Sequence, residues 1–319
     1  MSIRFRRLLQ CWVFAIGIVP AQAAPPTPEA AIVRALAFLQ ADAVKWRNDK
    51  ACATCHHGTM TVWAMSEATS RGYEIPAETF AENVKWTKDR LLAKIDEARD
   101  SRPGFSMVNS SALNLAVMAW CVPEQQALSA DELLRIGGHL LRNQEADGSW
   151  SWSSAPAKNR PPPFFESDEV ATLLGSAALY QQLPVEANEK SEVRAAREKA
   201  AAWLAGTEPT GTTQAAVYRL LVTVQGDGSA ETRQQEIDGI LTRQNQDGGW
   251  GQLDDSASDA YATGQALYFL SLAGVPSDQD AVVRGVKFLV STQNEDGSWP
   301  MTRRGHPGVT PSDFKIPII

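Results

Sequence analysis

Cysteine and histidine are scarce in this chain, four of each among 319 residues. Thiolate or imidazole ligation of a metal or cofactor must therefore draw on these few residues. Basic runs are lacking as well: 30 Lys and Arg face 37 Asp and Glu, for a formal net charge of −7. An acidic chain without a basic patch is a poor partner for nucleic acid or an anionic membrane surface. Beyond the N-terminus no apolar segment is long enough to cross a bilayer. No nucleic-acid partner and no transmembrane segment is expected.

What is present begins with an address. Arg4, Arg6 and Arg7 form a basic n-region, Cys11 to Val19 a short apolar stretch, and Ala21-Gln22-Ala23 a small-x-small cleavage site. Residues 1–23 read as a signal peptide, and residues 24–319 as one domain. Cys11 precedes the apolar stretch, so it is not a lipoprotein anchor. The Arg6-Arg7 pair is a weak twin-arginine feature. Cleavage removes three arginines and no acids, taking the net charge from −7 to −10. The mature protein is expected outside the cytoplasm, in a periplasm.

One phrase occurs three times: Gln144-Glu-Ala-Asp-Gly-Ser-Trp150, Gln244-Asn-Gln-Asp-Gly-Gly-Trp250 and Gln293-Asn-Glu-Asp-Gly-Ser-Trp299. Each follows a stretch of helical apolar periodicity, and internal repetition of this kind dictates an array architecture. The Gly permits a left-handed turn out of the helix. The Trp is expected to fold back over the helix end, and the Gln to bond the orphan carbonyls of that same last turn. A worn copy is read at Phe38-Leu39-Gln40 with Trp46. Amphipathic outer helices are predicted at about 28–45, 77–98, 129–144, 187–205, 229–245 and 277–293. Between them, inner helices rich in Ala, Gly and Ser start near Cys55, Asn109, Asp168, Thr212 and Asp259. After Trp299 no sixth inner helix can be placed, as expected of a truncated chain or of a ring left open.

The repeat wording resembles the QW motif of squalene–hopene cyclases and their relatives, a superfamily that includes protein prenyltransferases. The copy at Gly285, Phe288, Leu289, Gln293, Gly297 and Trp299 matches that motif throughout. The resemblance implies an all-α (α/α)6 toroid with inner and outer helix rings, here lacking its last inner helix. It bears on fold more than on activity, because sites are grafted onto folds.

Two clusters carry chemistry. Cys52-Ala-Thr-Cys55-His56 is the attachment signature of haem c, in which two thiols bond the porphyrin and His56 ligates iron as the proximal ligand. Haem attachment needs an exported protein, and this chain carries an export address. The same residues also suit a divalent metal such as zinc, with His56 or the adjacent His57 as ligand, or a disulfide staple of the first loop. Met60 lies too close to His56 to reach the opposite haem face. Met107, Met118, His139 and His306 are the other candidates for a distal ligand.

The second cluster is Glu166-Ser-Asp168-Glu169-Val-Ala171, which resembles a degraded Asp-x-Asp-Asp-Thr-Ala, the protonating motif of class II terpene cyclases. The resemblance makes Asp168 the general acid, with Glu166 and Glu169 as flanking carboxylates able to raise its pKa. The plain alternative is helix capping by Ser167, with acids in the first turn favoured by the helix dipole. Val170 stands where the family has Thr, and one toroid lacks the second wall of the large cyclase cavity. Met60, Trp63, Met65, Met118, Trp120, Tyr261 and Phe269 on inner helices fit either an apolar pocket or ordinary core. Three functions follow: a periplasmic haem protein with a redox partner or an apolar, isoprenoid-like ligand; a cyclase-like enzyme using Asp168; or a structural toroid.

Overall fold

A computed structural model describes residues 26–50, 55–95, 114–118, 128–151, 166–181, 190–226 and 228–300. Among these the chain is helical, with isolated β-bridges as the only extended pairings. The helices are α1 Pro28–Lys50, α2 Thr61–Ser70, α3 Ala77–Ile95, α4 Ala130–Asn143, α5 Asp168–Gln181, α6 Ser191–Gly206, α7 Thr213–Gln225, α8 Ala230–Leu241, α9 Ala260–Leu272 and α10 Asp280–Thr292. A wide π-turn, Cys55–Met60, leads into α2, and residues 114–118 are helical too. Six of these fall on the predicted outer positions: α1, α3, α4, α6, α8 and α10. The inner positions are taken by α2, 114–118, α5, α7 and α9.

Residue type separates the rings. Outer helix α6 buries one stripe, Val193, Ala196, Ala200 and Leu204, at the spacing of a helix with one covered face. Inner helix α9 instead buries every residue from Ala260 to Ala266, and α5 every residue from Glu169 to Leu179. Small residues let such helices lie side by side, so α5 packs on α7 and α7 on α9. Each of α6, α8 and α10 leans on the inner helix that precedes it. Side-chain oxygens start the helices: Ser167 accepts from Val170 N, Thr212 from Ala215 N, Ser229 from Thr232 N and Asp259 from Ala262 N. Ser129 and Glu132 form a reciprocal capping box at α4.

The repeated phrase is a clasp with a fixed wiring. The indole N–H of Trp150, Trp250 and Trp299 donates to the carbonyl ten residues earlier, on Leu140, Ile240 and Leu289, at 2.9, 2.8 and 2.8 Å. Tryptophan thus closes its own helix end, as expected. The Gln does not. Nε2 of Gln144, Gln244 and Gln293 donates to the clasp glycine carbonyl, and also to Ala196, Ala281 and Ala31 O in a different outer helix. Each clasp therefore grips the neighbouring repeat rather than capping its own helix, whose end the Trp indole bonds.

Glycine is required twice over at these turns. Gly148, Gly248 and Gly297 have φ of 98°, 89° and 88°. A Cβ there would also lie 2.4, 2.8 and 2.2 Å from the carbonyl oxygens of Lys199, Arg284 and Arg34. The last clasp, 293–299, grips α1 and so closes the outer ring. Arg34 adds a 2.5 Å bond to Gln293 Oε1. On the inside, α9 and α2 meet directly. The Trp63 indole donates to Tyr268 Oη at 3.3 Å and stands edge-on to Tyr268 and Phe269.

The worn clasp at Phe38–Trp46 is not a clasp. No glycine interrupts it, and α1 runs unbroken through both Gln40 and Trp46 to Lys50. Gln40 donates back to Leu36 O inside its own helix.

Candidate functional site

The first cluster opens the first inner helix. Cys52 lies outside the described residues, as do the side chains of Cys55 and His56; the backbone of the latter two belongs to the wide turn entering α2. His57 is described, and it is not on the surface. Its ring is 5% exposed, Nε2 is 3.0 Å from Asp42 Oδ2, and the imidazole stacks on Trp46 at 3.8 Å and 5°. Asp42 and Trp46 sit one turn apart on α1, in the stretch by which that helix runs past Gln40. The Thr59 hydroxyl donates to Asn114 O at 3.4 Å, tying the turn to the second inner position. Among the described residues, no three His, Cys, Asp or Glu are grouped to hold a metal. Of the distal-ligand candidates, Met118 and His139 are buried, while Met107 and His306 lie outside the described residues, as does the inner-helix aromatic Trp120.

The second cluster sits at the start of α5. Ser167 is the cap, as the plain alternative holds. Asp168 is half-buried, and its Oδ1 accepts from the Ser151 hydroxyl at 3.2 Å. Glu166 is 2% exposed. Glu169 does more than favour a helix dipole: at 1% exposure its carboxylate accepts from Thr210 N at 2.8 Å and from Arg219 Nε at 2.6 Å. Its charge is neutralised by Arg219 of α7.

Arg219 was not legible as a site residue, although a signal existed: it is the lone charge in the apolar run Val217-Tyr-Arg-Leu-Leu-Val222. It opens onto a cleft of about 570 Å³ between α5, α7 and α8, with Glu169, Glu236, Arg243 and Asp254 on its walls and Ala215 and Ala216 behind. Asp254 pairs with Arg243, whose guanidinium also donates to Gly211 O at 3.0 Å. Burial pushes the Glu236 carboxyl above the usual carboxylate range, while a bond from Thr223 and the charge of Arg219 pull the other way. The inner-helix aromatics and methionines are packed: Met60, Trp63, Met65, Met118, Tyr261 and Phe269 are all buried. A separate polar knot lies between α7 and α9, where Tyr261 Oη donates to Gln214 Oε1 at 2.6 Å and accepts from Gln265 at 3.0 Å.

Comparison with known proteins fits this geometry. Residues 210–317 match the family model of the squalene–hopene cyclase C-terminal domain. A squalene–hopene cyclase of Bradyrhizobium diazoefficiens is 39% identical over 77 residues, 21% of this chain. The match spans only 12% of that enzyme's length. Among solved structures, the type II terpene cyclase MstE from Scytonema, without ligand, superposes with a TM-score of 0.52 at 14% identity, covering 85% of this chain and 81% of that one. A variant of the same cyclase holding the substrate geranylgeranyl dihydroxybenzoate gives 0.51, covering 85% and 80%. At 14% identity this is a likeness of fold. In that fold and in its QW-type repeats, the chain resembles the α/α-toroid superfamily of squalene–hopene and type II terpene cyclases.

Proposed function

We propose that this chain is an exported single-toroid protein that carries haem c on its first inner helix and uses it in redox chemistry. The observation that supports the reading is where the end of the Cys52-Ala-Thr-Cys55-His56 motif falls. Its second cysteine begins the turn that runs into α2, and the next imidazole, His57, is already engaged by Asp42 and Trp46 of α1. That leaves His56 as the imidazole the motif offers to iron, with Cys52 and Cys55 as the thioether donors. When bound, haem supplies one-electron chemistry at its iron. Cys52 and Cys55 would anchor the group where the first inner helix begins, while Asp42 and Trp46 of α1 hold His57.

The test is intact-mass analysis of the mature protein after periplasmic expression with haem-maturation machinery. One added haem and a Soret band are expected, both lost in the Cys52→Ala plus Cys55→Ala variant. A bare polypeptide mass with stoichiometric zinc would assign the site to metal. With neither bound, the motif is a structural staple.

The toroid of this reading also has an apolar ligand class to offer, because MstE, its likeness in fold, is solved with a geranylgeranyl compound. A second reading, a cyclase-like enzyme with Asp168 as acid, draws on the acids in the first turn of α5. It stands second because Arg219 neutralises Glu169 and Val170 replaces the motif's Thr. Purified protein is expected to leave squalene and linear prenyl diphosphates unchanged. Turnover abolished by Asp168→Asn would reverse the order.

A further inference from the structure

Where α9 meets α2, one phenol is held by three side chains. The Tyr268 hydroxyl donates to Glu67 Oε1 at 2.7 Å, and its oxygen accepts the indole N–H of Trp63 at 3.3 Å. The ring stands edge-on to Trp63 and to Phe269, with centroids 5.2 Å away in each case. Trp63 and Phe269 are buried, whereas Tyr268 and Glu67 are half-buried, so the phenol lies between core and surface. Oε2 of Glu67 lies 3.4 Å from Nε of the exposed Arg71. Tyr73 is half-buried too, and serves as a comparison within the same chain.

A neutral phenol holds its proton to a pKa of about 10, but the phenol radical cation is a strong acid. Removing an electron is therefore easy only where a base stands ready for the proton. A carboxylate within hydrogen-bond reach is such a base. We propose that Tyr268 is a one-electron transfer site for a high-potential outer-sphere oxidant of the metal(III) polypyridyl class, with Glu67 as proton acceptor. One electron passes from the phenol to the oxidant, whose metal falls from the trivalent to the divalent state. The O–H bond breaks and its proton goes to Glu67 Oε1, leaving a neutral phenoxyl beside a neutral carboxylic acid. The Trp63 N–H still donates to the phenoxyl oxygen, and the rings of Trp63 and Phe269 shield it from coupling with a second radical. Return of one electron and of the proton on Glu67 restores the pair. The site is separate from the Cys52–His56 segment and needs no haem.

The test is flash oxidation of the mature full chain by photogenerated tris(bipyridine)ruthenium(III). The tyrosyl radical is followed by transient absorption and by electron paramagnetic resonance. Most of its signal should be lost in Tyr268→Phe and kept in Tyr73→Phe. Glu67→Gln retains an acceptor for the phenol but offers no base, and should slow radical formation by at least about tenfold. A bond that merely joins the two helices would leave that rate unmoved. The proposal is overturned by the absence of a tyrosyl radical, by a signal unchanged in Tyr268→Phe, or by equal rates with Glu67 and with Gln. Should Tyr268→Phe fail to fold, the rate in Glu67→Gln decides alone.

Discussion

The first repeat and the last two leave their outer helices by different means. At residues 244–250 and 293–299 the turn is written in backbone: a glycine at positive φ, an Asp accepting from the backbone N–H two residues on, and a tryptophan bonded ten residues back. In the first repeat, α1 runs on for 23 residues and the turn is held by side chains, with Asp42 and Trp46 gripping His57. A backbone-written turn repeats because its glycine and tryptophan satisfy local geometry wherever they occur. A side-chain turn is particular to its place, and in this chain it is the one that carries the Cys-x-x-Cys-His segment.

The sharpest way to break this contrast is to remove one tryptophan of each kind. Trp250 is fully buried, so Trp250→Ala should cost roughly 3–5 kcal/mol in urea unfolding. Trp46 is half-buried, and Trp46→Ala should cost roughly 1–2 kcal/mol. Equal losses would mean that the two turns are not built differently.

Glycines separate local from tertiary demands. Gly274 and Gly297 share a positive φ of 86° and 88°, but a Cβ on Gly274 meets nothing within 4 Å, whereas on Gly297 it meets Arg34 O at 2.2 Å. Gly274→Ala should cost about 1–2 kcal/mol from the left-handed conformation alone. Gly297→Ala should add about 1–3 kcal/mol of overpacking at the ring closure. Thermal unfolding of both variants measures the difference, and a Gly297 variant no worse than Gly274→Ala would deny that this clasp closes the ring.

The Glu169–Arg219 pair belongs with the side-chain contacts. Glu169→Gln leaves a guanidinium facing a neutral amide. A loss of about 2 kcal/mol is expected, below the range for fully buried pairs because Arg219 keeps 24% exposure. Unfolding at several salt concentrations checks it, since a pair this covered should respond little to screening.

The smallest effect concerns Glu236, whose carboxyl is raised in the folded state by burial. A carboxyl raised on folding favours the folded state when protonated, and that contribution is lost as pH rises from the unfolded value through the folded one. Glu236→Gln should therefore stabilise the protein at about pH 7, by under about 1 kcal/mol, and the gain should vanish below about pH 4. A gain independent of pH would show that charge is not its cause.

Legibility followed the same division. The three Gln–Trp phrases and the apolar periodicity located all six outer helices, because a helix stripe and a glycine turn are local requirements. The inner starts at Asp168, Thr212 and Asp259 were legible through their small-residue composition, and side-chain caps at Ser167, Thr212 and Asp259 fix them. The partner of each clasp glutamine was not: Ala196, Ala281 and Ala31 lie 52, 37 and 262 residues away, and no local pattern announces a contact across repeats. Trp46 was misread because spacing alone cannot distinguish a turn tryptophan from one on a helix face. At the acidic cluster, residue type located Glu166, Asp168 and Glu169 but not the guanidinium that neutralises Glu169 from 50 residues away.

The sequence by itself determined what depends on neighbours along the chain: helix phase, cap residues, the glycine turns, and the order Cys52, Cys55, His56. Only the tertiary structure decided what depends on neighbours in space. It set Glu169 against Arg219, buried His57 between Asp42 and Trp46, and brought α10 back onto α1. The reason is that a helix stripe or a positive φ is fixed within a few residues, whereas a buried charge finds its partner only once the ring has closed.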